Sequence, residues 1–183
     1  MKKSVFRPAV VISLALMLGL TMGCQKTVPG GITEQDAKII GDWYVKARNE
    51  ANLALLDNIY SPDVIVHDPS QPQDVIGLAA LKSQYGNTHR AIPDVKFALD
   101  ELYVKGDKLA WVFTMSGTIT GPVGTPFGDI PPSGKTIRVS GVAVDRIAGG
   151  KIVEEWVYFN LLDLLQPMGF TLTPPRPPKS EGN

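Results

Sequence analysis

The segment DRIAGGKIVEEWVYFN, residues 145–160, decides the fold. Runs rich in β-branched and aromatic residues flank Gly149-Gly150. Paired glycines favour a β-hairpin turn because they adopt positive φ at little cost. The segment therefore predicts two antiparallel strands over residues 135–147 and 151–160, joined at the glycine pair.

A second hairpin comes earlier in the chain. Residues 95–105 and 108–120 have the composition of strands, and Gly106-Asp107 supplies a turn between them. Everything from residue 95 to residue 160 is therefore expected to be mostly antiparallel β-structure.

The region before these hairpins is mainly helical. Thr33, followed three residues later by Asp36, has the pattern of a capping box, and it predicts a helix that runs to about Arg48. The remaining predicted elements are a short helix over 53–60 ended by Ser61-Pro62-Asp63, a strand over 64–67, a loop over 71–75, a helix over 78–91 and a final helical turn over 161–166. Helices followed by strands predict an α+β domain in which a curved antiparallel sheet packs its inner face on helices and encloses a pocket.

The composition argues against several classes of protein. The 183 residues carry 18 Lys plus Arg and 18 Asp plus Glu, without a basic stripe, so nucleic acid is not an expected partner. One cysteine and two histidines are too few for a thiolate or histidine-rich site, so we expect no bound metal.

The N-terminus has the pattern of a targeting segment. Lys2, Lys3 and Arg7 precede an apolar run over 9–20, which is short for a spanning helix and suits a signal peptide. The run leads to Met22-Gly23-Cys24, which resembles the bacterial lipobox. The alternative is an ordinary signal peptide cleaved elsewhere or an uncleaved anchor, but no A-x-A-like site follows the apolar run.

We therefore predict a lipoprotein signal peptide over 1–23 and a Cys24 that carries acyl chains such as palmitate. Residues 24–32 would form a tether, 33–170 the domain and 171–183 a disordered Pro-rich tail. The expected location is the cell envelope, with the protein lipid-anchored on the periplasmic side of a membrane.

Several motifs together resemble the SnoaL-like polyketide cyclase, or ester cyclase, family. They are YSPDV (60–64), HDP (67–69), PDVKF (93–97), GTITG (117–121), PPSGK (131–135) and DRIAGGKIVEEW (145–156), continuing into residues 161–166. The resemblance implies the cone-shaped fold of nuclear transport factor 2-like proteins, with three helices on the concave side of the sheet. It also implies aldol ring closure of a polyketide ester by a pocket Asp, without a metal or cofactor.

Three positions depart from the pattern that the resemblance implies. The family's acid/base Asp falls at Val157, its frequent His at Ile119 and a frequent pocket Arg near Val112. Valine cannot exchange a proton, so the cyclase mechanism does not transfer unchanged. The same correspondence makes these three residues expected ligand-binding positions.

Glu155 is the first candidate for remaining proton chemistry. Strand alternation puts it on one face with Val153, Val157 and Phe159. The resemblance places that face in the pocket, so Val153 and Phe159 are also expected ligand-binding positions. Burial there would raise the pKa of Glu155 towards the range that suits proton transfer. The alternative is a structural ion pair with Arg138 on the neighbouring strand.

His67 is the second candidate, at the end of a strand where Asp68 could orient its ring near the pocket mouth. The alternative is a solvent-facing strand terminus, and His89 is expected at the surface.

The sequence thus favours an envelope lipoprotein that binds a small hydrophobic molecule. A cofactor-independent cyclase, isomerase or lyase using Glu155 or His67 on a hydrophobic carbonyl compound is the alternative. A third hypothesis is an interaction module whose pocket is vestigial, and homo-oligomerisation is left open.

Overall fold

The first helix, α1 (Glu34–Asn49), begins where the sequence predicts it. The computed structural model describes residues 31–125 and 128–174. The Thr33 side chain accepts a hydrogen bond from the backbone N–H of Asp36, and the Asp36 carboxylate accepts one from the backbone N–H of Thr33. This capping box satisfies donors that the first turn would otherwise leave unpaired. The buried face of α1 consists of Ala37, Ile40, Gly41, Tyr44, Ala47 and Arg48.

The other helices are shorter. A 3-10 helix, Leu53–Asn58, replaces the helix predicted over 53–60. Helix α2 (Leu78–Ala91) confirms the third predicted helix, and α3 (Leu161–Leu165) confirms the final turn. Helix α1 packs on the strand β3 (Lys96–Lys105), α2 on β1 (Tyr60–His67) and α3 on β7 (Thr136–Ala148).

A curved six-stranded sheet forms the body of the domain. Its other strands are β2 (Val75–Ile76), β4 (Lys108–Thr118) and β8 (Lys151–Phe159), and the order is β2-β1-β8-β7-β4-β3. Both predicted hairpins are present, with turns between Lys105 and Lys108 and between Ala148 and Lys151. The architecture is the predicted α+β fold with a large curved, mainly antiparallel sheet.

Three features of the sheet differ from the sequence prediction. The pairing of β1 with β8 is parallel, and a small separate hairpin forms from β5 (Val123–Thr125) and β6 (Gly128–Ile130). Val75, predicted in a loop, pairs with Val66 in the β2–β1 ladder.

Strand β1 also begins four residues before the predicted start and contains Pro62. Its pairing with β8 skips from Tyr60 to Ile65, so Pro62 lies in a segment that makes no ladder pair there. A proline without an N–H is tolerated at such a position, so β1 includes Pro62, and the short helix ends before it, at Asn58.

A β-bulge interrupts β8 close to its start. Ile147 pairs with Ile152 and Arg146 pairs with Glu154, so Val153 is an extra residue on β8. Ile152 and Glu155 are consequently both buried although they are three residues apart. Simple alternation placed Val153 on the same face of β8 as Glu155. That prediction is wrong because the extra residue at the bulge shifts which residues face inward on either side of it.

The core lies on the inner face of the sheet. Trp111 is buried at its centre, and the ring of Tyr44 from α1 packs 4.8 Å from it and 5.0 Å from Phe97. Burying a large aromatic side chain contributes roughly 1.5–3 kcal/mol each, so these contacts anchor α1 on the sheet.

The predictions about both termini fall largely outside the described residues. These are the signal peptide, Cys24 and nearly all of the tether, together with the tail beyond residue 174. Residues 171–174 form neither helix nor strand. In the part of the chain that the structure describes, no helix has both the length and the hydropathy needed to cross a bilayer.

Candidate active site

A cavity of about 710 Å³ lies between the inner face of the sheet and the helices α2 and α3. The segment 70–76, which ends in strand β2, also lines it. Most of the wall that the sheet provides is apolar and comes from Phe97, Trp111, Phe113, Met115, Val157 and Phe159. A largely apolar cavity with a few polar groups is the usual form of a small-molecule site.

Glu155 contributes a carboxyl group to this cavity. It is 2% exposed, and the hydroxyl of Tyr60 donates a hydrogen bond to its Oε2 at 2.5 Å. Burial raises the pKa of Glu155 from the ordinary 4.5 to about 7; the charge of Asp68 adds to the rise, while the Tyr60 hydrogen bond and Arg48 oppose it. The group therefore changes its charge near neutral pH, as a proton-transfer residue must.

Asp145 is the cross-strand partner of Glu155. The two residues pair directly in the β7–β8 ladder, and Asp145 is fully buried with no hydrogen-bond partner for either carboxyl oxygen among the described residues. Burial, then the charge of Glu155, holds the pKa of Asp145 well above its usual range. Two adjacent buried carboxyls resist simultaneous ionisation, so the charge on either group disfavours the charge on the other.

This arrangement corrects the proposed ion pair between Glu155 and Arg138. Arg138 is exposed and pairs with Ser116 on β4, before the ladder between β7 and β8 begins at Gly141. Asp145 was not among the predicted site residues, although a signal existed. It alternates with Ala143 and Ile147 on the inner face of β7, so an inward carboxyl was readable from the strand pattern.

Three tyrosines surround the carboxyl of Glu155. The hydroxyls of Tyr44 and Tyr85, which both line the cavity, lie 3.1 Å apart, and Tyr60 binds Glu155 directly. Burial raises the pKa of all three hydroxyls, and the charge of Glu155 adds to the effect. They therefore remain O–H donors at neutral pH.

Arg48 is a second ionisable group that the sequence prediction missed. It lies in the last turn of α1, is 4% exposed and lines the cavity. Its guanidinium carbon lies 3.6 Å from the centroid of the Tyr85 ring. An arginine near a helix C-terminus usually faces solvent, where its positive charge interacts favourably with the helix dipole. The sequence position of Arg48 therefore gave no sign that it is buried.

His67 lies outside the cavity, contrary to its predicted position at the mouth. Val66 points inward, so His67 points to the outer face, where its ring stacks on Trp156 with centroids 5.4 Å apart. Its Nδ1 lies 2.9 Å from Asp74 and its Nε2 3.3 Å from Glu154. Burial alone would lower the pKa of His67, but these two carboxylates outweigh it and raise the pKa.

Asp68 does not orient the His67 ring as the sequence suggested. Its carboxylate accepts hydrogen bonds from Ser70 and from the amide of Gln84. His89, expected at the surface, is half-buried near Arg48, and burial followed by the charge of Arg48 lowers its pKa.

The predicted ligand-binding residues divide into two groups. Val157 and Phe159 line the cavity, on the same face as Glu155. Val112 belongs to the outer face, because the pocket-facing residues of β4 are Trp111, Phe113 and Met115.

The other two predicted residues also miss the cavity. Ile119 is buried in a separate cluster with Ile92, Val95 and Ile137. Val153 is removed from the wall by the bulge. Across residues 31–125 and 128–174, no group of three potential metal ligands is close enough together to hold an ion.

The chain belongs to the SnoaL-like polyketide cyclase family, whose model matches residues 38–168. This confirms the resemblance that the motifs predicted. No curated protein matches the sequence. Among solved structures, TsrD from Streptomyces laurentii is 24% identical with a TM-score of 0.66, covering 75% of this chain and 98% of TsrD.

Two further structures show the same fold. A protein from Jannaschia sp. CCS1, named after the SnoaL-like polyketide cyclases, is 18% identical with a TM-score of 0.66 and covers 82% of this chain and 99% of its own. A protein with a ketosteroid isomerase-like fold from Catenulispora acidiphila is 20% identical with a TM-score of 0.59. The match covers 74% of this chain and 97% of the Catenulispora protein. At these identities the likeness is one of fold, and it confirms the predicted cone-shaped architecture.

Proposed function

We propose that this chain is an acid/base enzyme that acts on a hydrophobic carbonyl compound, with Glu155 in the role of the carboxylate that Val157 cannot supply. The observation that carries the proposal is the position of Glu155 in an apolar cavity with a pKa of about 7. A base with a pKa near the working pH combines a useful ionised fraction with a strong tendency to accept a proton.

The replacement is geometrically reasonable because Glu155 and Val157 are on the same strand and face the same cavity. Two residues along a strand correspond to about 7 Å. Glu155 lies on the side of Val157 nearer the β7–β8 turn, deeper in the cone. A substrate would therefore have to place its reacting carbon farther inside than one that reacts beside position 157.

The chemistry that this site favours is proton removal from a carbon next to a carbonyl group. The Glu155 carboxylate accepts the proton, and the electrons of the broken C–H bond move to the carbonyl oxygen to form an enolate. Tyr44 and Tyr85 share one hydrogen bond, so one of the two hydroxyls retains a hydrogen that can be donated to this oxygen. Fixed donors in a cavity that excludes water are effective stabilisers of such an anion.

Exchange of α-hydrogen for deuterium tests the proposal directly. We expect the wild type to catalyse exchange into an apolar ketone, such as a ketosteroid, in D₂O, and Glu155→Gln to lose about 100-fold or more of the rate. Glu154→Gln is the matched control, since Glu154 is the adjacent carboxylate but faces His67 and Arg146 on the outer surface. Equal losses in the two variants would refute a specific role for Glu155.

The pH profile is a second measurement on the same reaction. Because Glu155 must be ionised to act as a base, we expect kcat/KM to rise through about pH 7 and then level off.

A function in binding alone is the second candidate, and Val157 is the observation that favours it. Val157 and Phe159 extend the apolar wall beside Glu155. A wild type that binds apolar ketones tightly but gives no exchange, with Glu155→Gln unchanged in affinity, would support this candidate and refute the enzyme.

We propose in addition that the mature protein is a lipoprotein anchored through Cys24 in the cell envelope. The support is the basic, then apolar, then Gly23-Cys24 order of the N-terminal residues. Metabolic labelling with a palmitate analogue should mark the wild type and not Cys24→Ala, and the variant should leave the membrane fraction. Labelling that survives the substitution would contradict the anchor.

A further inference from the structure

Arg48 has a structural position that the proposed reaction does not explain. It reaches the cavity from the last turn of α1, where Tyr44 precedes it by one helical turn. Its side chain is held by aromatic groups, with its guanidinium carbon 3.6 Å from the ring centroid of Tyr85 and 5.6 Å from that of Phe97. These stacking contacts hold the guanidinium plane in place, so little side-chain freedom remains to be lost when a ligand binds.

The guanidinium of Arg48 has almost no polar partner. Its Nε and Nη1 atoms are buried without a hydrogen bond among the described residues, and no carboxylate there lies within 4.0 Å of it. Within residues 31–125 and 128–174, the acceptor for its Nη2 is the sulfur of Met115, at 3.9 Å. A thioether is a weak acceptor, and a buried charge without a counter-charge is costly, so this site lacks a strong partner.

The acidic groups near the cavity do not supply that partner. At the mouth, Asp74 is paired with His67, and the carboxylate of Asp68 accepts from Ser70 and Gln84. The carboxylate of Glu155 accepts a hydrogen bond from Tyr60.

We propose that Arg48 is the binding site for the carboxylate group of an amphipathic ligand whose hydrophobic body fills the cavity. This inference rests on the proposed function, for which it specifies the substrate class: an apolar carbonyl compound that also carries an acid group. The planar guanidinium fork matches two carboxylate oxygens. Met115, a flexible side chain in the cavity wall, is the group that moves to admit them.

A pair of probes of equal size and shape tests the proposal by calorimetry at pH 7. We expect 2-naphthoate to bind the wild type about 10- to 100-fold more tightly than 2-naphthamide, the range for a hydrogen bond to a charged group. Arg48→Gln should bring the ratio of the two affinities close to one. Arg48→Lys, which keeps the charge without the fork, should give an intermediate ratio.

Two further variants separate this inference from its alternatives. Arg138→Gln is the matched control, because Arg138 is exposed on β7 and should leave the ratio unchanged. Glu155→Gln should abolish any turnover and retain the carboxylate preference, so failure of the enzyme and failure of the anion site give different results.

The outcomes that overturn the proposal are equally specific. Equal affinity of the wild type for the two probes would refute it without any variant, even if Arg48→Gln did not fold. A preference that persists in a folded Arg48→Gln protein would refute it as well. Arg48→Gln removes a buried charge that has no counter-charge, so it should not lower the melting temperature. This measurement checks independently that Arg48 lacks a strong partner in the ligand-free protein.

Discussion

Replacing Glu155 by glutamine should change how the stability of the protein depends on pH. In the folded protein the pKa of Glu155 is raised from 4.5 to about 7. Below pH 4.5 both the folded and the unfolded state carry the proton. As the pH rises from 4.5 to 7, the unfolded chain releases the proton and the folded chain keeps it, so the free energy of unfolding falls. Above pH 7 both states are ionised and the loss is complete.

The size of this effect follows from the two pKa values. The difference between 4.5 and about 7 corresponds to about 3 kcal/mol, because each unit is worth about 1.4 kcal/mol. Glutamine has nearly the same shape and can still accept from the Tyr60 hydroxyl, but it does not ionise. The wild type should therefore lose about 3 kcal/mol relative to Glu155→Gln between pH 4.5 and pH 8.

Urea unfolding across this pH range measures the prediction. Glu154→Gln is the control: it keeps the contribution of Glu155, and it changes the slope only through Glu154 itself and its partner His67. His67 also titrates here: its raised pKa gives stability at low pH that is lost as the pH rises. Because His67 lies on the outer face, its contribution cancels in the difference between wild type and Glu155→Gln. A difference that does not vary with pH would refute the desolvated carboxyl and remove the basis of the proposed reaction.

Three other substitutions have defined outcomes. Tyr60→Phe removes the hydrogen bond that lowers the pKa of Glu155, so the midpoint of the kcat/KM profile should move to higher pH. Val157→Asp places a second acid in the cavity wall and should weaken binding of uncharged apolar probes, as measured by calorimetry. Gly141→Ala puts a methyl group 2.5 Å from the carbonyl oxygen of Tyr158, and it should cost about 1–3 kcal/mol in urea unfolding through overpacking.

The local parts of the fold were predictable because short-range signals determine them. Gly106 and Gly149 both adopt positive φ in the hairpin turns, as a turn glycine does. The Thr33–Asp36 capping box likewise needs only four residues. By contrast, the parallel pairing of β1 with β8 joins residues about 90 positions apart, and no local pattern specifies it.

The candidate site was predicted only in part, for a related reason. Alternation along β8 placed Glu155 and Val157 on one face, but it could not reveal the extra residue at Val153. The burial of Arg48 depends on aromatic rings from α2 and β3, which only the tertiary structure brings together. Both errors concern contacts between distant segments, which sequence periodicity does not describe.

The route by which the chain enters the domain bears on where a ligand would come from. The backbone N–H of Ile32 donates to the carbonyl oxygen of Gly106 in the β3–β4 turn, and no residue of that turn lines the cavity. Six residues lie between Cys24 and Gly31, and the chain between these two residues spans at most about 25 Å. On the proposed anchoring, the tether would keep the point where the chain enters the domain, beside the β3–β4 turn, within about 25 Å of the lipidated residue. The domain would then sample its ligands close to the membrane surface, within the reach of that short tether.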